Sequence, residues 1–126
     1  MPCATLCPIR VTEALLPRLL ASGEGATVVN ISSFLASITH TNGGSSGYRE
    51  SKAALNMTTR SLAVEHGEAG LLVIAMSPGW VRTRMGGEGA PLEPEEAIGG
   101  LVEVIEGLTP EHSGRFWHHD GTELPW

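Results

Sequence analysis

Apolar residues along this chain recur in two spacings that predict two kinds of element. Three stretches, residues 8–21, 48–66 and 94–107, carry them at every third or fourth position, which predicts amphipathic helices. Two short and largely apolar runs, residues 26–31 and 71–76, predict strands that are buried on both faces, as in a parallel sheet. Helices and strands therefore alternate along the chain.

A last short segment, residues 115–118, contains Phe116 and Trp117 and predicts a short strand before the Asp120-Gly121 turn. The order helix, strand, helix, strand, helix, strand contains no repeat and no long linker. It favours a single α/β domain over residues 1–126 with a parallel sheet. Ligands of such sheets bind where the strands end, so the loops after Ile31 and Met76 are the expected site.

The composition of the chain disfavours nucleic acids and membranes as partners. A chain of 126 residues is long enough to bury one core. Its net charge of -6 disfavours nucleic acid as a partner, because phosphate binding needs clustered lysine and arginine. The apolar stretch near the N-terminus is interrupted by charged residues and is shorter than the roughly 18 residues of a membrane span, which disfavours a membrane partner.

The two cysteines, Cys3 and Cys7, both lie within the first seven residues. Such a pair is no disulfide framework, so unpaired thiols in a reduced setting are predicted. No second Cys or His pair stands at matching spacing, and no metal site is predicted. Together with the lack of a recognisable signal peptide, these features predict a cytoplasmic protein.

Tyr48 and Lys52 are the only tyrosine and the only lysine in the sequence. They stand four residues apart at the start of a predicted helix, so their side chains share one face. An ammonium group beside a phenol favours the phenolate, which makes the pair a candidate acid/base for an oxygen atom. The alternative is a packed phenol ring next to a solvated charge.

Three motifs follow one another at the ends of predicted elements. Asn30-Ile31-Ser32-Ser33 ends the first strand, Tyr48-x-x-x-Lys52 opens the second helix, and Ser77-Pro78-Gly79-Trp80-Val81-Arg82-Thr83 ends the second strand. In this order they resemble the short-chain dehydrogenase/reductase (SDR) family. The tail from Asp120 to Trp126 is similar to the family's carbonyl-reductase-like branch, which includes the C-factor group.

The resemblance implies a partial Rossmann-type, doubly wound parallel sheet of about three strands and three helices, equivalent to the family's C-terminal half. It implies an NAD(P)-dependent oxidoreductase acting on a carbonyl or alcohol substrate, with NADP slightly favoured over NAD by the branch. It places strand 26–31 beside strand 71–76, with helices 8–21 and 48–66 on one face and helix 94–107 on the other. The first two helices would also form a homodimer interface.

The resemblance also implies catalytic roles. Tyr48 would be the general acid/base, Lys52 would support it and bind the nicotinamide ribose, and Ser33 would hold the substrate oxygen. Ser37 is a rival for that last role, because the interval from Ser33 to Tyr48 slightly exceeds the family's commonest spacing.

Cofactor contacts are implied for the segment after the second strand. Pro78, Gly79 and Val81 would line the nicotinamide pocket, next to Tyr48 and Lys52, and Thr83 would reach the carboxamide or a phosphate. The rest of this glycine-rich segment, residues 79–93, is predicted to be mobile.

Two departures from the family pattern keep an alternative open. No glycine-rich turn follows a first strand and opens a helix, as pyrophosphate binding requires. Ala4 stands where the family places a catalytic asparagine. The alternative is therefore a non-catalytic, truncated SDR remnant that acts as an interaction or oligomerisation module, because the cofactor-binding half is expected to be missing.

Overall fold

The computed structural model describes residues 3–23 and 25–126 as three α-helices and a four-stranded sheet. The elements are α1 Cys3–Ala21, β1 Thr27–Ile31, α2 Ser46–His66, β2 Leu72–Ser77, α3 Pro94–Glu106, β3 Phe116–His118 and β4 Glu123–Leu124. Their order is the one that the apolar pattern predicts. Within the described ranges, no helix combines the length and apolarity needed to cross a bilayer.

The sheet has the order β1-β2-β3-β4. β1 pairs with β2 in parallel, with Val29 beside Ile74, and β2 pairs with β3 in parallel. β4 is antiparallel to β3 and was not predicted, since it holds only two residues after a tight turn. The predicted fold class, a partial Rossmann-type α/β sheet, is confirmed.

Helix α1 begins at Cys3 and so extends upstream of the predicted start at residue 8. Pro8 is typical of a first turn, but here it lies inside the helix. The Thr5 hydroxyl donates to the Ser51 carbonyl of α2 at 2.8 Å, so a tertiary contact holds the added turn despite the proline. Ala4, the position of the family's asparagine, therefore lies in this first turn.

The prediction of unpaired thiols is wrong for Cys7, which is disulfide-bonded. The side chain of Cys3 lies outside the described part of the chain.

The two faces of the sheet are covered by different helices. Ile74 and Met76 pack with Leu101 of α3 on one face. On the other face, the buried Asn30 amide donates to the Thr59 hydroxyl of α2 at 3.0 Å. α2 and α3 thus lie on opposite sides of β2, as the resemblance implies. The loops that precede them follow β1 and β2, so these two loops lie at the same end of the sheet.

β1 lies at the edge of the sheet and has a single neighbour among the described residues. Its backbone register follows from two bonds, Ser32 N–H to the Met76 carbonyl at 2.7 Å and Leu72 N–H to the Ala26 carbonyl at 2.9 Å. Parallel pairing uses alternate residues of a strand, so the even-numbered residues bond to β2. The backbone groups directed away from β2 belong to Thr27, Val29 and Ile31.

The buried Asn30–Thr59 contact predicts unequal effects for two threonines on α2. Thr59→Val leaves the Asn30 amide without its acceptor and should lower the free energy of unfolding by about 1–3 kcal/mol. Thr58→Val removes a hydroxyl that bonds only the Ala54 carbonyl at the surface and should stay within about 0.5 kcal/mol of wild type. Urea denaturation measures both, and equal losses would show that the Asn30–Thr59 hydrogen bond does not stabilise the fold.

Candidate active site

A cleft of about 810 Å³ opens where β1 and β2 end. Apolar side chains make up most of its wall, among them Ile31, Ile98 and Leu101. Six of the seven predicted site residues line it: Ser33, Tyr48, Pro78, Gly79, Val81 and Thr83. The loops after the first two strands and the first turn of α2 therefore meet at one place.

Tyr48 lies in the first turn of α2, half-buried in the cleft wall. Its ring centroid is 6.0 Å from the Lys52 Nζ atom, so the two side chains share a helix face as their spacing predicts. Within the described ranges, the phenol hydroxyl has no hydrogen-bond partner that would compete with a bound oxygen atom.

Lys52 does not line the cleft but lies behind Tyr48. Its ammonium donates to the Ile31 carbonyl at 2.9 Å, at the C-terminal end of β1. Desolvation by burial lowers the pKa of Lys52 from the usual 10.5, because the half-buried site disfavours the charged form. The ammonium is therefore held by one backbone acceptor and gives up its proton more readily than an exposed lysine.

The lowered pKa of Lys52 can be measured without competing signals, because no other lysine is present. Reductive methylation with a ¹³C reagent labels Lys52 and the N-terminal amine, and NMR separates the two. The Lys52 midpoint should lie at a lower pH in the native protein than in the same sample unfolded in urea. A native midpoint equal to or above the unfolded one would contradict the desolvation of this site.

Ser33 and its rival Ser37 occupy different surroundings. The Ser33 hydroxyl caps a short turn, Phe34–Ala36, by accepting from the Leu35 N–H at 3.2 Å, and it faces the cleft with Tyr48. Ser37 is buried, accepts from the His40 N–H at 3.3 Å and donates toward the C-terminal residue's carbonyl. The geometry therefore brings Ser33 to the site and leaves Ser37 outside it.

Ser77, the last residue of β2, connects the two loops that carry the site. Its buried hydroxyl accepts from the Phe34 N–H at 2.9 Å and from the Gly79 N–H at 3.3 Å. The turn after Ser33 is thereby fixed relative to the Pro78-Gly79 turn. Sequence reasoning missed this role, because a serine that ends a strand carries no signal of a partner 43 residues away.

Arg49 was also missed, although it adjoins Tyr48. Its guanidinium donates to the Gly44 carbonyl at 2.9 Å, the Leu35 carbonyl at 3.3 Å and the Asn42 Oδ1 atom at 2.6 Å. These three bonds fasten the loop between Ser33 and α2 to the helix that carries Tyr48. An arginine one residue after a candidate acid is the only sequence signal that could have indicated it.

The segment 79–93, predicted to be mobile, contains its own hydrogen bonds. The Trp80 indole donates to the Gly86 carbonyl at 2.8 Å, and Val81 forms a bridge with Leu92. The Thr83 hydroxyl accepts from the Gly86 N–H at 3.1 Å, so Thr83 stabilises the loop and also lines the cleft. The segment that forms the outer wall of the cleft is thus held together by hydrogen bonds within the loop.

The cleft fits one end of a nicotinamide cofactor better than the other. A flat ring suits the apolar wall, and a ribose suits the hydroxyls and the ammonium beside it. A pyrophosphate does not suit the N-terminus of α3, because the side chains of Glu93 and Glu96 already cap it and Glu95 adds a third carboxylate. The described residues also contain no cluster of His, Cys, Asp or Glu that could hold a metal ion.

Comparison with known proteins agrees with these features. A sequence model of the family described as Enoyl-(Acyl carrier protein) reductase matches residues 3–101. The C-signal of Myxococcus xanthus is 45% identical over 122 residues, which are 96% of this chain and 73% of that protein.

Two solved structures of carbonyl reductases are similar over almost the whole chain. Carbonyl reductase Sniffer of Drosophila melanogaster has a TM-score of 0.93 and 38% identity, over 99% of this chain and 55% of that chain. The NADPH-bound carbonyl reductase from chicken fatty liver has a TM-score of 0.89 and 35% identity, over 97% of this chain and 54% of that chain. The chain thus spans about half the length of these enzymes. By sequence and by fold, the chain belongs to the short-chain dehydrogenase/reductase family.

Proposed function

We propose that this chain carries the proton-transfer and nicotinamide-facing part of an NAD(P)-dependent oxidoreductase that interconverts a small carbonyl compound and its alcohol. One observation supports this above all others: the Ser33 and Tyr48 side chains face the same apolar cleft, with the Lys52 ammonium behind Tyr48. Two hydroxyls on one wall can bind a single oxygen atom, which is what a developing alkoxide requires.

In carbonyl reduction, the substrate oxygen would lie between the Ser33 and Tyr48 hydroxyls. A nicotinamide held by Pro78, Gly79 and Val81 would supply the hydride for the carbonyl carbon. The Tyr48 hydroxyl gives its proton to the oxygen as negative charge develops there, while Ser33 donates a second hydrogen bond. The Lys52 ammonium stabilises the phenolate that Tyr48 becomes, and the apolar wall excludes water from the reacting atoms.

For the cofactor, we assign the nicotinamide ring to the wall formed by Pro78, Gly79 and Val81, and its carboxamide to the neighbourhood of Thr83. Lys52 and Tyr48 would hold the adjoining ribose. NADP is slightly favoured over NAD by the family branch, and the chicken carbonyl reductase is an NADPH-bound structure. A small carbonyl or alcohol remains the proposed substrate class, in a cytoplasmic protein.

The single lysine offers a test of this assignment. Reduced nicotinamide mononucleotide carries the ribose proposed to contact Lys52, whereas AMP carries only the other end of the cofactor. The nicotinamide compound should slow acylation of Lys52 in a concentration-dependent manner, as followed by peptide mass spectrometry, and AMP should not. Equal acylation rates with and without the nicotinamide compound would overturn the proposed cofactor site.

A second candidate function, a helix-mediated association module, is favoured by the outer surface of α1 and α2. Val11 and Leu15 on α1 and Met57 and Val64 on α2 are large apolar residues that remain exposed. A homodimer through these two helices would cover them, with or without catalysis. Sedimentation equilibrium should then show a dimer that Met57→Glu weakens, and a monomer at all concentrations would remove this candidate.

A further inference from the structure

A second cavity, the Asn56 cavity, lies between the middle of α2, the turn Phe34–Ala36 and Trp126. Its volume is about 170 Å³, close to the roughly 150 Å³ of an apolar cavity that holds one benzene molecule. Most of its wall is apolar and comes from Ala36, Ile38, Ala53, Met57 and Trp126. None of its lining residues lines the active-site cleft, so the Asn56 cavity is separate from that cleft.

Asn56 brings a buried amide to the wall of this cavity. The residue is 3% exposed, and neither its side-chain nitrogen nor its side-chain oxygen has a hydrogen-bond partner within the described ranges. The buried Asn30 amide, in contrast, donates to the Thr59 hydroxyl. Leaving both atoms of a buried amide unpartnered lowers stability, because water no longer solvates them. Such a group needs an explanation, and a ligand that enters the cavity would supply the missing partners.

The polar groups around the Asn56 cavity select the chemistry of that ligand. The Arg60 guanidinium and the Trp126 indole N–H only donate hydrogen bonds, whereas the Asn56 Oδ1 atom is a strong acceptor. Arg60 also donates to the Gly114 carbonyl at 3.3 Å, which holds the guanidinium beside the cavity. A fitting ligand therefore has a carbonyl oxygen that accepts and an N–H group that donates to Asn56 Oδ1. A carboxylate has nothing to donate, so it would leave Oδ1 unpartnered beside a negative charge.

We infer that the Asn56 cavity binds a small, uncharged primary amide attached to an apolar group. The carbonyl oxygen of the ligand accepts from the Asn56 Nδ2–H, and its N–H donates to Asn56 Oδ1. The apolar group lies against Ala53 and Trp126, where burial stabilises the complex. The paired amides exclude analogues that lack one of the two polar atoms. The inference does not depend on the proposed catalysis, since the active-site cleft is formed by other residues.

Benzamide is the probe for the Asn56 cavity, with benzoate and toluene as comparisons of similar size. In ¹H–¹⁵N NMR spectra of the purified chain, benzamide should shift the Asn56 side-chain and Trp126 indole resonances to saturation. Benzoate and toluene should bind at least about tenfold more weakly, because each lacks a polar atom that Asn56 requires. Equal affinity for toluene, tighter binding of benzoate, or the absence of any saturable shift with benzamide would overturn the inference.

Two variants locate the benzamide site. Ala53→Leu fills the cavity and should abolish benzamide binding. Gly86→Ala alters the loop that forms the outer wall of the active-site cleft and should leave benzamide affinity unchanged. The opposite pattern would place benzamide in the active-site cleft and would overturn the inference.

Asn56→Leu separates a ligand-binding role from a structural one. Leucine is similar in size to asparagine and carries no polar atom, so the melting temperature should equal or exceed that of wild type while benzamide binding is lost. Thr58→Val, on the same helix but outside the cavity wall, should keep the wild-type affinity for benzamide. Unchanged benzamide affinity in Asn56→Leu would overturn the inference. If that variant does not fold, Ala53→Leu decides in its place, because binding that survives in a filled cavity must lie elsewhere.

Discussion

Tyr48→Phe should lower carbonyl reduction by about 10²–10⁴-fold, the usual contribution of a positioned general acid. The substitution removes one hydroxyl and keeps the ring that lies 6.0 Å from the Lys52 ammonium. The bound nicotinamide compound should therefore still protect Lys52 from acylation, although turnover is lost. The measurement is the rate at which the purified protein oxidises NADPH in the presence of a small aldehyde.

Ser37→Ala is the matched control for the hydroxyl chemistry, since Ser37 is a buried hydroxyl that lies outside the cleft. Folded Ser37→Ala protein should turn over at the wild-type rate, whereas Ser33→Ala should turn over more slowly. A Tyr48→Phe protein that turns over at the wild-type rate would show that another group gives the proton.

Gly86→Ala should lower the affinity of the cleft for reduced nicotinamide mononucleotide by about 10²-fold, the scale on which misplacing a positioning group acts. A Cβ atom built on Gly86 would lie 1.8 Å from the Val81 carbonyl oxygen, so the loop cannot keep its present form. The Trp80–Gly86 hydrogen bond and the Val81 part of the cleft wall would both be displaced.

Gly89→Ala provides the comparison in the same loop. A Cβ atom on Gly89 meets nothing within 4 Å, so this variant should bind like wild type. Hydrogen exchange over residues 79–93 should increase in Gly86→Ala only. Equal affinity in the two variants would mean that this loop does not form the nicotinamide wall.

The order of elements and the position of the cleft could be predicted because each depends on local pattern. The runs around Val29 and Ile74 are apolar whatever surrounds them, and motifs at strand ends of a parallel sheet necessarily meet at one edge. The first turn of α1 could not be predicted, since a contact between Thr5 and Ser51 offsets the signal from Pro8.

The finer parts of the site escaped prediction for a related reason. Ser33 and Ser37 are equivalent in a pattern of residue types, and only the folded turn at Phe34–Ala36 separates the one that faces the cleft from the one that does not. Ser77 and Arg49 act by bonding to backbone atoms of distant loops. Backbone donors and acceptors leave no trace in side-chain patterns, so such positioning residues become visible only in the fold.

The proposed cofactor site contacts one end of the ligand, which gives a physical reason to expect weak binding. In the proposed site, the nicotinamide end would meet an apolar wall, two hydroxyls and an ammonium, whereas the N-terminus of α3 is already capped by glutamates and does not suit a pyrophosphate. Binding free energy would then come mainly from one end of the ligand.

The proposed function requires that this cleft hold a nicotinamide beside Tyr48 and Lys52. Titration of the purified chain with NADPH and NADH, followed by nicotinamide fluorescence, tests it most directly. We expect saturable binding, on the order of millimolar or tighter, which Gly86→Ala weakens far more than Tyr48→Phe. Absence of binding at millimolar concentrations of either cofactor, with the protein folded, would contradict it.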